Sequence, residues 1–237
     1  MTAGRLSPRQ LPLKLFPPRD QALEHFIPGA NAEAQAQVGA LARGELSRPL
    51  HLWGGAATGK SHLLAAACTE AANRGSRAAY LPLGEAGRDL DPSVCDGLET
   101  LDMVCVDDVD AIGGRDDWEL ALFRLYNQLV DRSGRWLSAS TVNPQEAMLG
   151  LADLKSRLGW GLVIHLQPLT EDLLREVLMQ RARRRGFELG REVMEYLLHR
   201  VPRDLKRLCT LLDQLDAASL SSQRHVTIPL VKSLLEG

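Results

Sequence analysis

Gly54-Gly55-Ala56-Ala57-Thr58-Gly59-Lys60-Ser61 fits the pattern G-x-x-x-x-G-K-[ST], and its surroundings fit as well. The apolar run Leu50–Trp53 precedes it, and a stretch rich in Ala and Leu, Ser61–Ala72, follows before the stop Asn73-Arg74-Gly75. Glycines let such a backbone fold into a nest whose N–H groups converge on phosphate oxygens, and a helix N-terminus adds its positive end. Lys60 is then placed to reach the terminal phosphates of a nucleotide, and Ser61 to offer its hydroxyl to Mg2+. His62, next on the helix, belongs to the same cradle. A strand–glycine loop–helix turn that binds nothing is the plain alternative, and the flanking elements argue against it.

Further along, Met103-Val104-Cys105-Val106-Asp107-Asp108 reads as a buried strand ending in two carboxylates. Asp107 is placed to hold the Mg2+, directly or through water. Asp108 is placed to orient or activate an attacking water.

Outward from these motifs, Ala78–Leu83, Trp136–Ser140 and Leu162–Leu166 are short apolar runs bounded by turn residues. Trp118–Val130 puts Trp118, Leu122, Leu125, Tyr126 and Leu129 on one helical face. Strands alternating with helices predict an α/β domain, a five-stranded parallel sheet with helices on both sides. From Pro168 onward no strand is evident. Thr170 can cap a helix that Gly186 stops; others are expected over Arg191–Arg200 and Asp204–Ala218. The expected organisation is therefore a tail over 1–20, an α/β nucleotide-binding domain over 21–168, and a small all-helical lid over 169–237.

Composition sets bounds. The chain has 237 residues, 45% of them hydrophobic, and a formal net charge of -2, which does not demand a nucleic-acid partner. Cys68, Cys95, Cys105 and Cys209 show no C-x-x-C spacing and read as buried free thiols in a reducing cytosol. No stretch approaches the ~20 apolar residues of a membrane span, so a cytoplasmic, membrane-free protein is expected.

With loop, acidic strand and helical region in place, the chain resembles AAA+ ATPases of the DnaA branch, and more narrowly their short regulatory members that inactivate the bacterial initiator DnaA. The likeness covers nearly the whole chain. It is carried by Gln10–Phe16, Phe26-Ile27-Pro28-Gly29-Ala30-Asn31, Leu154-Lys155-Ser156-Arg157-Leu158-Gly159-Trp160-Gly161, Leu166-Gln167-Pro168-Leu169, Arg181-Ala182-Arg183 with Gly186–Leu189, and Leu212–Asp216.

The resemblance implies an adenine nucleotide, ADP or ATP, with Phe26, Ile27, Pro28 and Gly29 against adenine and ribose. It implies that Thr141 or Asn143 senses the γ-phosphate from the end of the fourth strand. Arg157 would be an arginine finger donated to a nucleotide on a partner, and Arg203 would contact phosphates from the lid. Many AAA+ proteins carry Asp-Glu where this chain has Asp107-Asp108, and the shorter second carboxylate implies a weak ATPase of its own.

The tail Gln10-Leu11-Pro12-Leu13-Lys14-Leu15-Phe16 resembles the bacterial sliding-clamp-binding motif, in which Gln10, Leu11, Leu13, Leu15 and Phe16 would dock in an apolar groove. The implied partners are DnaA and the DNA-loaded clamp, the β subunit of DNA polymerase III; self-association is also implied. No helix-turn-helix or zinc-finger spacing is evident, and Arg181–Arg185 reads as a solvated or partner-facing run, so direct sequence-specific DNA binding is not expected. The competing reading is an independent ATPase that loads a helicase or remodels another replication factor.

Overall fold

The computed structural model describes residues 21–84, 88–201, 205–222 and 226–236. Five strands, β1 (Leu50–Trp53), β2 (Ala78–Pro82), β3 (Met103–Asp107), β4 (Arg135–Ser140) and β5 (Leu162–His165), form one parallel sheet in the order β2-β3-β4-β1-β5. β4 therefore lies between the strand that feeds the phosphate loop and the strand that ends in the two carboxylates. The register pairs Leu50 with Leu137 and Met103 with Arg135, so the three strands deliver Gly54, Thr141 and Asp107 to one edge of the sheet.

Both faces of the sheet carry mostly apolar side chains, as a sheet covered on both sides requires. Leu50, Leu52, Met103, Cys105, Leu137 and Ala139 pack against α1 (Ala32–Ala42) and α2 (Lys60–Asn73). On the other face Leu81, Val104, Val106 and Trp136 pack against α3 (Asp116–Asp131) and α4 (Ala152–Trp160). The stripe expected on α3 is buried in full, Trp118, Leu122, Leu125, Tyr126 and Leu129 all lying inside. The four cysteines are buried. The sequence reading did not anticipate α1. Its helix, Ala-Glu-Ala-Gln-Ala-Gln-Val-Gly-Ala-Leu-Ala, buries mostly small residues and has little apolar periodicity.

The C-terminal part packs α5 (Glu171–Arg184), α6 (Arg191–Arg200), α7 (Leu205–Ser222) and α8 (Ile228–Glu236) around Leu174, Leu178, Val193, Leu197, Leu208, Leu212 and Leu215. Thr170 caps α5 by accepting from Leu173 N–H, as expected. The last helix, α8, corrects the expectation of three lid helices. Among the described residues no helix is long and apolar enough to cross a membrane.

One buried polar chain ties the central strands together. Trp136 Nε1–H donates to Ser138 Oγ (2.9 Å), which lies 2.8 Å from His51 Nδ1. His51 Nε2 lies 2.8 Å from Ser140 Oγ, whose hydroxyl donates to Val142 O (2.5 Å). Ser140 therefore accepts from His51, and Ser138 gives its proton to Nδ1, which selects the neutral Nε2–H tautomer. Burial pushes the His51 pKa from 6.5 down to about 3. Below pH 6.5 the unfolded chain takes up a proton that the fold refuses, so stability is lost progressively from pH 6.5 toward pH 3. Urea midpoints should fall by the equivalent of roughly 2–3 kcal/mol between neutral pH and about pH 4.5 from this group. His51→Leu, which cannot titrate, should be less stable at neutral pH and show a shallower acid slope. An equal slope in both proteins refutes the assignment.

Candidate functional site

The phosphate loop spans the end of β1 and the start of α2. Gly59 (φ +96°) makes the turn in the left-handed region, where a Cβ would sit 2.7 Å from the Phe26 ring, so only glycine lets loop and ring approach. Thr58 is buried and donates to Gly55 O (3.1 Å). Lys60 Nζ donates to Gly54 O (2.5 Å) and Gly55 O (2.7 Å), so its ammonium lies folded along the loop. Burial lowers its pKa, while Asp107, Asp108 and Asp110 pull it back up.

A cleft of ≈ 450 Å³ opens over this loop, within the roughly 300–1,000 Å³ of small-ligand sites. Ala56, Ala57, Thr58, Gly59, Lys60, Ser61 and His62 line it, with Asp108 and Thr141 facing them and Arg181, Thr210 and Asp213 closing it from the lid. Gln21 and Cys209 complete the wall. A narrow slot adjoins it, formed by Phe26, Ile27, Gly59, His62, Leu169, Val177 and Arg181. The His62 ring lies 5.8 Å from Phe26, and Nε2 lies 3.1 Å from Ala22 O. Burial pushes the His62 pKa down to about 4, the bond to Ala22 opposing this and Arg181 and Arg184 adding to it. At neutral pH the slot therefore offers the flat, uncharged rings of Phe26 and His62.

Asp107 is buried, its Oδ2 accepting from Tyr80 Oη (2.7 Å) and Oδ1 from Asp108 N–H (3.1 Å). Asp108 has φ +54°, and its carboxylate fills the space that Gly84 leaves. Thr141 N–H donates to both oxygens of Asp110, at 3.2 and 3.1 Å, and its hydroxyl bonds Oδ2 as well. Asn143 instead accepts from Gln145 N–H (3.0 Å) and builds a turn, so Thr141 is the one of the two that lines the cleft.

The other residues named from the sequence fall elsewhere. Gly54 and Gly55 contribute their carbonyls to Lys60, while Pro28 and Gly29 lead into α1. Asn31 latches the chain by bonding Gln167 O (2.9 Å) and N–H (2.7 Å), which brings two distant motifs of the sequence together. Arg157, on α4, does not line this cleft. Arg203 and Gln10, Leu11, Leu13, Leu15 and Phe16 lie outside the described residues. Arg181 corrects the reading of the arginine run as solvated or partner-facing, because it lines both cleft and slot. Its helical spacing, i+7 from Leu174 and i+3 from Leu178, is the sequence signal for an inward-facing arginine. Asp110 and Asp213 had no such signal.

A phosphate loop and an acidic strand flanking a middle strand, under a helical lid, define the AAA+ class of P-loop ATPases. The model of the bacterial DnaA ATPase domain matches residues 18–165, and that of the Hda lid domain matches residues 171–235. The chain belongs to the DnaA family of AAA+ ATPases and is Hda-like in its lid. Domain III of the Thermotoga maritima initiator DnaA is similar at TM-score 0.78 and 24% identity, covering 92% of this chain and 97% of that one. AMPPCP-bound DnaA from Aquifex aeolicus is similar at TM-score 0.68 and 25% identity, covering 84% of this chain and 66% of that one. The Thermotoga maritima RuvB branch-migration motor shares the fold at TM-score 0.65 and 17% identity, covering 92% of this chain and 72% of that one.

Proposed function

We propose that this chain is a cytoplasmic, nucleotide-binding regulator of bacterial replication initiation. With the DNA-loaded sliding clamp, it promotes hydrolysis of DnaA-bound ATP, which inactivates DnaA and prevents reinitiation. One observation carries the reading. Arg157 is half-buried on α4, outside the chain's own cleft, with its guanidinium 5.8 Å from the ring of Trp160, itself 64% exposed. No carboxylate among the described residues forms an ion pair with Arg157, so this chain leaves its charge without a counter-charge. A second AAA+ molecule binding there would receive a guanidinium at its γ-phosphate.

The chain's own cleft holds the regulator's nucleotide, ADP or ATP. Adenine lies in the slot at Phe26, Ile27 and His62, and the phosphates lie on the loop 54–61, with Lys60, Arg181 and Arg203 around them. The residues present fit Mg2+. Ser61 lines the cleft, Asp107 keeps unused lone pairs, and no group of three or more His, Cys, Asp or Glu among the described residues forms an all-protein site. That is the pattern of an ion held by one or two side chains, water and phosphates. Such an ion would neutralise charge on the phosphate oxygens, with Ser61 and Asp107 as its protein ligands.

ATP turnover on DnaA, measured with clamp-loaded DNA in the presence and absence of this protein, tests the reading; no stimulation overturns it. Asp108 beside Lys60 in the cleft favours a second reading, an independent ATPase that loads or remodels a replication factor. Rapid turnover by the protein alone, with no effect on DnaA, would select it. The clamp link rests on the tail. A Gln10→Ala, Leu13→Ala double variant should lose clamp pull-down while its nucleotide affinity stays unchanged. Undiminished pull-down removes the tail from the account.

A further inference from the structure

Glu119, in the first turns of α3, is only 1% exposed. A carboxylate in that position costs free energy unless hydrogen bonds meet its charge. Here three backbone N–H groups do so. Oε1 accepts from Gly114 (3.0 Å) and Gly150 (3.0 Å), and Oε2 accepts from Leu151 (2.6 Å). The donors belong to two separate loops. Gly114 ends the loop that follows the acidic strand, and Gly150 and Leu151 lead directly into α4, where Leu151 at the N-cap has no side-chain oxygen of its own.

The same two loops touch at two further points. Thr141 is bound through its N–H and hydroxyl to Asp110, and Gly113 lies so close to Met148 O that a Cβ there would be 2.6 Å from the carbonyl. Downstream, Leu154 and Leu158 bury one side of α4 in the core shared with α3. Arg157 stands on the same short helix, beyond that buried edge. A helix of nine residues moves as a rigid piece, so a shift at Leu151 is carried to Arg157.

We propose that Glu119 is the positioning residue for Arg157: its carboxylate fixes the start of α4 to the loop after the acidic strand and so sets where the guanidinium stands. The inference rests on the reading of Arg157 as a finger acting on a partner's ATP. Glu119 touches neither nucleotide. It acts only through α4.

Glu119→Gln tests this, since an amide has a single acceptor oxygen for donors that now share two. In the full-length variant, amide hydrogen exchange across 150–160 should rise by about tenfold or more, with α2 and β3 unchanged, because the anchor is local. At saturating protein, stimulated hydrolysis on DnaA should fall about 10²-fold, the scale of a 1 Å misplacement of a catalytic group. The affinity of the protein's own site for ADP should stay the same. In an Arg157→Ala background the change should add no further loss, as residues acting through one another are not additive.

Unchanged exchange across 150–160 overturns the proposal, as does a further loss of stimulation in the Arg157→Ala background. Arg157→Ala inactive beside a fully active Glu119→Gln defeats the positioning role alone. Arg157→Ala fully active defeats the finger reading and this inference with it. Should Glu119→Gln not fold, Glu119→Asp keeps the charge, shortens the reach and is read by the same measurements.

Discussion

Arg157→Ala is expected to reduce stimulated ATP hydrolysis on DnaA by ~10³–10⁵-fold, the contribution of an arginine finger in well-studied NTPases. The size of the effect follows from where charge develops. As the γ-phosphoryl group transfers, negative charge spreads over its equatorial oxygens, and a guanidinium held in a water-poor interface stabilises it more than it stabilises bound ATP. The fold should tolerate the change. Arg157 leaves no carboxylate stranded among the described residues, and its contact with the exposed Trp160 ring is worth ~0.5–1 kcal/mol. The protein's own nucleotide affinity should also hold, because Arg157 does not line the cleft over Lys60. Arg157→Lys should be nearly as defective, a point charge lacking the planar fork that matches phosphate oxygens. A single-turnover measurement on γ-labelled ATP·DnaA with this protein at saturation and clamp-loaded DNA reads all three proteins. Normal stimulation by Arg157→Ala removes the finger.

What the sequence disclosed and what it hid divide along physical lines. β1 and β3 could be read because a strand buried on both faces is predominantly apolar, as Leu50, Leu52 and Trp53 and the run Met103–Val106 are. Lys60, Ser61, Asp107 and Asp108 could be read because each motif lies within a few consecutive residues. α1 could not, since Ala34, Gly39 and Ala42 pack closely without an apolar stripe that hydropathy detects. Long-range partnerships were hidden for a different reason. Glu119 looks like an ordinary acid near a helix N-terminus until folding brings Gly150 and Leu151 to it. The link of Asp110 to Thr141 and the place of Arg181 against the phosphate loop likewise arise only when separate elements meet.

Lys60→Ala should weaken ADP and ATP binding by roughly 10–100-fold or more, the 1.5–3 kcal/mol of a hydrogen bond to a charged group, plus the charge left uncompensated. The second contribution can be traced to named groups. Asp107, Asp108 and Asp110 all lie close enough to raise the Lys60 pKa, so the ammonium offsets three carboxylates. Without it, an incoming polyphosphate meets those carboxylates with Arg181 and the loop amides as the remaining attraction among the described residues of the cleft. Removal also takes the Lys60 donor from Gly54 O and Gly55 O, the latter keeping its bond from Thr58, so the empty loop loses two hydrogen bonds that hold its shape. Titration calorimetry with Mg2+ present should therefore show both a weaker Kd and a shallower salt dependence for what binding remains, one attractive charge having gone. Lys60→Ala binding ADP as the unaltered protein does would mean that the loop 54–61 is not where phosphate sits, and the protein would have to hold its nucleotide elsewhere or not at all.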